Sequence, residues 1–375
     1  MNVLVTGAKG FIGKNMVVAL RRRGDVSVTE YDLDSGEEVL AQGLAESDWI
    51  FHLAGVNRPS RDEEFEETNT GLTRKICGRL QGGGWAPVFV FSSSSQAARE
   101  NPYGLSKRKA EEAIENWSQA SGAGAAVFRL PGVFGKWSRP NYNSAVATFC
   151  YNLARDLPLS ISDENKKLNL VYIDDVVAAF LDCLTHPPRR FERRSVVPEY
   201  EVTLGDLARL ITSFRESRTT HTLGDFSDAF LKKLFGTYLS YLDTANFAYS
   251  LTVRSDARGE LAEFIKQRQF GQIFVSRTKP GMTRGHHVHD CKAEKFFVLE
   301  GEALIRLRKI GEDDVLEYHI RGDMFRVLDI PPGYAHSITN VGQGELITLF
   351  WADELFDTAA PDTAGLAVDG ERRKG

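Results

Sequence analysis

Cysteine is scarce in this chain: there are four in 375 residues, Cys77, Cys150, Cys183 and Cys291, and no two form a CxxC pair. A disulfide scaffold is excluded, and the usage fits a reducing cytoplasm. No apolar run reaches the roughly 18 residues of a membrane span, so no membrane partner is expected. The opening MNVLVTGAKGFIGKN lacks a basic flank ahead of a long apolar run and does not read as a signal peptide. Positive charge is not in excess either: 46 Lys and Arg stand against 51 Asp and Glu, a net charge of -5. With no long basic stretch there is no track for a phosphate backbone, and nucleic acid is excluded as a partner. The run Arg21, Arg22, Arg23 reads as a solvated helix end. Internal repeats and low-complexity tracts are also absent.

What is present falls into two textures, as expected for a chain long enough for two or three domains. Short apolar strands at 2–6, 26–31, 49–54, 87–91 and 125–130 alternate with helical stretches at 13–22, 63–80 and 103–121. That alternation predicts a parallel sheet covered on both faces, a Rossmann-like α/β domain. Residues 131–245 complete this domain and supply its substrate-binding part. After about residue 246 the runs GQIFVSRT, EKFFVLEG, EALIRLR, MFRVLDIP and ELITLFWA are separated by Gly, Pro and Asp. They predict an antiparallel sandwich or barrel over 246–360. Residues 361–375, rich in Ala, Gly, Asp and Arg, read as a flexible tail.

Gly7, Gly10 and Gly13 lie directly after a strand and before a helix. Glycines there bring backbone N–H groups close to a pyrophosphate at the helix N-terminus. The turn Gly7, Lys9, Gly10, Phe11, Ile12 and Gly13 is therefore the candidate dinucleotide cradle. Asp32, ending the second strand, suits a free ribose and favours NADH, whereas Lys9 suits a 2'-phosphate and favours NADPH. Leu53, Ala54 and Gly55 would line the groove with their backbone, and His52 beside them serves either the groove or the core. Tyr103 and Lys107 stand four apart at the start of a helix and share a face. A nearby cation eases proton donation from a tyrosine to a carbonyl. One hydroxyl among Ser92, Ser93, Ser94 and Ser95 completes the carbonyl clamp.

The pieces TGAKGFIG, HLAG, FSSSS, YGLSK, RLPGVFG and VYIDDV, spread over residues 1–245, resemble the extended short-chain dehydrogenase/reductase family. The resemblance implies NAD(P) as cofactor, with Tyr103 and Lys107 also touching it, and Ser94, Tyr103 and Lys107 as the catalytic set. It further implies that Asn69 is a structural and proton-relay residue near the cofactor. The segment between the serines and Tyr103 is shorter than the family usually carries.

Of eight histidines, four lie at 286, 287, 289 and 336. His287 and His289 are two apart, so on a strand they face one way. With Glu294 and His336 they offer three imidazoles and a carboxylate, a donor set that suits Zn, Ni, Fe or Mn. The spacing Gly281, His287, His289, Glu294, Gly301, followed by PPGYAHSITN at 331–340, resembles the cupin family. That implies a double-stranded β-helix, or jelly-roll, domain binding one divalent metal, with Zn2+ expected, through His287, His289, Glu294 and His336. His286 and Cys291 fall outside the motif. Asp256 to Glu260 resembles the entrance segment of cupins that epimerise nucleotide-linked deoxy-sugars.

Joined in this order, the halves resemble a family of bifunctional capsular-polysaccharide enzymes over about residues 1–358. The resemblance implies C3 epimerisation of UDP-2-acetamido-2,6-dideoxy-4-hexulose in the cupin. NADPH-dependent reduction at C4 follows, giving the L-talose sugar, in a homodimer. Two other readings stand beside it. One is an NAD-dependent UDP-sugar 4-epimerase or dehydratase, which would be isolated with bound nicotinamide. The other is a non-catalytic sugar-binding protein, which would have no need of Ser94, Tyr103 and Lys107 together.

Overall fold

The computed structural model describes residues 1–59, 61–357, 359 and 362–369. Two units form: Met1–Thr212 with Lys233–Asp243, and Ser213–Lys232 with Thr244–Gly375.

In the first unit a six-stranded parallel sheet runs in the order Ser27–Tyr31, Asn2–Thr6, Trp49–His52, Val88–Ser94, Ala125–Leu130, Phe191–Arg194. Side chains alternate across each strand, so an apolar strand feeds two cores at once. Val3, Val5, Phe51, Val90 and Phe128 enter one core with Met16 and Phe180. Leu4, Ile50, Phe89, Phe91 and Val127 enter the other with Leu44, Leu80 and Ile114. The strand order reverses beside Asn2–Thr6, and a crevice for a ligand opens at such a point at the C-terminal ends of the strands. A smaller three-stranded sheet, Gly132–Phe134, Lys167–Tyr172 and Tyr200–Thr203, lies in the stretch assigned to substrate binding.

The helical stretch expected from 63 begins with a π-helical turn, Phe65–Gly71, before the α-helix Leu72–Gly83. Helix Pro102–Ser121 starts where Asn101 caps it: the Asn101 side chain accepts from Gly104 N–H at 2.8 Å, and Pro102 needs no partner in the first turn. Among the described residues no helix is long and apolar enough to cross a membrane.

The second unit holds two antiparallel sheets. One has the order Val253–Asp256, Gly259–Gln267, Gly271–Thr278, Leu346–Ala352, Glu294–Glu300, Val327–Ile330. The other runs Val315–Arg321, Glu302–Lys309, Tyr334–Asn340, Thr283–Val288, Ala364–Gly365. Phe296, Val298, Leu346 and Phe350 of the first meet Ile305, Leu307, Ile320 and Ile338 of the second in one core, so the unit is all-β and two-layered.

The tail departs from expectation. Over 362–369 the chain returns to the second sheet as strand Ala364–Gly365, and Val368 is completely buried. Strand pairing and one buried valine hold a segment whose composition offers few apolar anchors. Residues 361 and 370–375 of the expected tail lie outside the described residues.

Candidate functional site

The glycine turn folds back on the sheet. Gly7 has φ +69°, and its N–H donates to the Tyr31 carbonyl at 2.8 Å. A Cβ on Gly13 would sit 2.0 Å from the Gly7 carbonyl oxygen, so only glycine lets helix Phe11–Arg21 start this close to the strand. Gly10 supplies no side-chain cap, and the first-turn N–H groups are left for an anion. Phe11 and Ile12 pack in part against the core, and their backbone N–H groups lie in the first turn of the helix. Asp32 accepts from Lys9 N–H at 2.7 Å and from Leu33 N–H at 2.8 Å, while the Lys9 ammonium pairs with Asp34. The two residues that disagreed over the ribose thus stand side by side at the crevice. His52 is buried between Thr6 (2.6 Å) and Thr73 (2.9 Å), and burial, with the Lys107 charge second, pushes its pKa down to about 3. Its place is in the core, as a neutral ring.

Leu53, Ala54 and Gly55 follow directly. A Cβ on Gly55 would lie 2.9 Å from Asn69 Oδ1 and 3.2 Å from Lys107 Nζ, so the groove backbone, Asn69 and Lys107 converge. Asn69, on the π-helical turn, holds Val56 through both its N–H (2.9 Å) and its carbonyl (3.0 Å), and donates to Ser106 Oγ at 3.0 Å. Ser106 in turn donates to the Tyr103 carbonyl at 2.8 Å. Lys107 Nζ donates to the Ser92 carbonyl at 3.0 Å and lies 4.8 Å from the Phe91 ring centre. Burial pushes the Lys107 ammonium down to about 8, against the upward pull of Glu111. Burial raises the Tyr103 phenol above its ordinary value, and its hydrogen bond with Ser94 opposes that rise. Of the four serines, Ser94 meets Tyr103. Ser93 instead donates to Glu111 at 2.5 Å, and Ser92 Oγ turns to the His52 carbonyl.

Glu111 is a residue the sequence reading passed over. It is buried, receives Arg129 at 2.7 Å and 2.9 Å, and has Arg193 at 3.6 Å. Its carboxylate, one helical turn beyond Lys107, ties the helix to the strand that carries the serines. The available signal was that four-residue spacing.

In the second unit His287, His289, Glu294 and His336 gather so that one donor atom from each lies within 4.8 Å of the others. His287 pairs with His336 across neighbouring strands, beyond a bulge at Gly285 and His286. Glu294 comes from the facing sheet, with its Oε2 3.2 Å from His336 Nε2 and 3.6 Å from His289 Nε2. These two Nε2 atoms are buried without a hydrogen-bond partner. Each ring is held from behind: His336 Nδ1 lies 3.2 Å from the Tyr334 carbonyl, and His289 Nδ1 bonds to the Asp362 carbonyl. Burial, then His336 and His289, push His287 down to about 4. For Glu294, burial pushes upward, but His289 and His336 outweigh it and bring the carboxyl down to about 2. Orphaned imidazole nitrogens around a carboxylate fit a divalent cation. Cys291 is exposed and His286 faces Val368, so neither joins the cluster. Lys295, next to Glu294, points to the opposite face and pairs with Asp329.

Comparisons with known proteins match both units. Residues 3–197 match the NAD dependent epimerase/dehydratase family, and residues 254–364 match the polysaccharide biosynthesis C-terminal domain. A UDP-2-acetamido-2,6-beta-L-arabino-hexul-4-ose reductase from Pseudomonas aeruginosa is 41% identical over 368 residues, covering 98% of this chain and 99% of that protein. The crystal structure of the capsular polysaccharide assembling protein CapF from Staphylococcus aureus is 40% identical, with a TM-score of 0.91, over 98% of this chain and 100% of that one. A UDP-glucuronic acid 4-epimerase from Bacillus cereus, solved with NAD, shares the fold alone: 18% identity and a TM-score of 0.52 over 57% of this chain and 82% of that one.

Proposed function

We propose a two-step function for this chain, which belongs to the NAD dependent epimerase/dehydratase family and is an NAD(P)-dependent nucleotide-sugar enzyme. The substrate is UDP-2-acetamido-2,6-dideoxy-4-hexulose. The all-β unit, read as a cupin, inverts C3; the Rossmann-like unit then reduces the C4 ketone to the L-talose sugar. The observation that carries this reading is the near full-length match to a hexul-4-ose reductase, supported by the Ser94–Tyr103 hydrogen bond and by Lys107 Nζ held on the Ser92 carbonyl.

In the reduction, NADPH supplies the hydride. The uncapped start of helix Phe11–Arg21 would hold the pyrophosphate, and the backbone of Gly55, beside Asn69 and Lys107, would line the groove for the rest of the cofactor. Ser94 and Tyr103 hold the C4 carbonyl oxygen, and Tyr103 gives it the proton. Lys107, charged below about pH 8, stabilises the tyrosinate that remains. Asn69 holds Val56 and, through Ser106, the first turn of the catalytic helix.

In the other unit His287, His289, Glu294 and His336 would hold one divalent ion, with Zn2+ fitting the imidazole-rich set. Such an ion would supply polarisation of a carbonyl or fix the two sheets around the cluster. Inversion at C3 needs removal of the proton beside the ketone and its return on the other face, and the base is assigned to neither Lys295 nor Tyr334. The enzyme works in the cytoplasm as a homodimer. Free cysteines support the compartment, and exposed Leu299, Phe325 and Val327 offer apolar surface for a second copy.

The test uses the full chain in heavy water with the UDP-linked 4-keto sugar. NMR is expected to find deuterium at C3 without NADPH, and the reduced L-sugar after NADPH is added. Reduction with no exchange at C3 would remove the epimerase step. Exchange with no NADPH oxidation would remove the reductase step.

A further inference from the structure

The cluster of His287, His289, Glu294 and His336 has a support that comes from far along the chain. Residues 286–292 carry two of its histidines, and the segment 362–369 grips them from outside at successive points. The Asp362 carbonyl takes the bond from His289 Nδ1. The Asp362 carboxylate accepts three consecutive backbone N–H groups, from Asp290 at 2.9 Å, Cys291 at 2.9 Å and Lys292 at 2.8 Å. Strand Ala364–Gly365 pairs with His287 and Val288. Leu366 N–H donates to the His286 carbonyl at 2.8 Å. The far end is fastened separately: Arg308 donates to the carbonyls of Ala367 (2.7 Å) and Val368 (2.8 Å), and Val368 is buried with Val288 and Ala335.

This geometry does a specific chemical task. An imidazole whose Nδ1–H is donated to a carbonyl keeps its lone pair on Nε2, the atom that faces the cluster. His336 gets that orientation within its own strand, from Tyr334. His289 lies beyond the end of strand Thr283–Val288, and its orientation comes from Asp362. The three amides after His289 have their hydrogen bonds collected by the carboxylate of the same residue.

We infer that segment 362–369 is a strap that completes the metal site: the Asp362 carboxylate holds the 290–292 loop, and by doing so keeps the Asp362 backbone carbonyl in place against His289 Nδ1. The inference rests on the metal reading above. It predicts that metal affinity is governed by a residue that is not itself a ligand.

The experiment is competition for Zn2+ against a chromophoric chelator, in full-length protein, with NADPH binding as a check on the other unit. Asp362→Ala keeps the backbone carbonyl but removes the carboxylate that fixes it against the 290–292 loop, and is expected to weaken Zn2+ binding about 10–100-fold, the range found for groups that orient ligands. Asp362→Asn, which keeps one oxygen acceptor, is expected to fall between it and the parent chain. Hydrogen exchange at the 290–292 amides should quicken in Asp362→Ala, and the visible spectrum of Co2+-loaded protein should change. Unchanged Zn2+ affinity in Asp362→Ala, while the parent chain binds Zn2+ and His287→Ala with His289→Ala does not, overturns the strap alone. Absence of Zn2+ uptake by the parent chain overturns the metal reading and the strap with it. Should Asp362→Ala not fold, Asp362→Asn with parent-like affinity and exchange at 290–292 overturns the strap by itself.

Discussion

Ser94, Tyr103 and Lys107 come from one passage of strand into helix, and the groove they face is lined by glycine turns from neighbouring strands. His287, His289, Glu294 and His336 come instead from two different sheets, with an orienting carbonyl at residue 362. The first site is fixed mostly by local geometry: helix spacing puts Tyr103 and Lys107 on one face, and Glu111 locks helix to strand. The second exists only when both sheets and the final segment have docked. Damage to the first should therefore be chemical and confined, and damage to the second should also be felt as lost binding and lost order.

The largest expected effect separates the two outright. Tyr103→Phe should slow ketone reduction roughly 10²–10⁴-fold and leave C3 exchange intact, read by NADPH oxidation and by deuterium NMR. Loss of both activities in a folded Tyr103→Phe protein would break the division. The opposite variant, His287→Ala with His289→Ala, should abolish stoichiometric metal in elemental analysis. It should still oxidise NADPH when given the ketone already inverted at C3. Retention of a full equivalent of metal would contradict the ligand set.

An intermediate effect concerns pH. Lys107 carries its charge below about pH 8 and loses it above, while Tyr103, raised by burial, stays protonated through that range. The kcat/KM for reduction should be level below pH 8 and fall by up to about tenfold per unit above it. C3 exchange should show no break tied to Lys107. A profile for reduction that stays level to pH 10 would disconnect Lys107 from the proton transfer. The smallest effect is cofactor choice. NADPH should have the higher kcat/KM, and Lys9→Ala should raise the NADPH KM a few-fold with little change for NADH. A parent enzyme faster with NADH would give the decision to Asp32.

The readable parts of the sequence were those in which neighbours in the chain are neighbours in space. GAKGFIG announces strand, turn and helix because Gly13 has no room for a side chain. YGLSK announces a shared helix face. The alternation of β-runs announced an all-β second unit, and the histidine spacing brought out the four clustered side chains. The family resemblance singled out Ser94 among adjacent serines that their residue types alone do not distinguish, and the structure adds that Ser93 turns to Glu111 while Ser94 meets Tyr103. The π-helical turn under Asn69 leaves no pattern in composition. The tail misled for a physical reason: its anchors are backbone pairing and carboxylate-to-amide bonds, and an apolar count does not register them.

The division of the chain between the units carries a consequence for anyone who would take the protein apart. Residues 213–232 belong with the second unit and 233–243 return to the first, and both boundaries fall inside helices, Leu204–Thr220 and Ala229–Leu239. The two activities are therefore not beads on a string. A gene split at residue 244 would leave residues 213–232 on the first product and take them from the second unit, to which they belong. On the ribosome, the reductase cannot finish until the first part of its neighbour has already emerged.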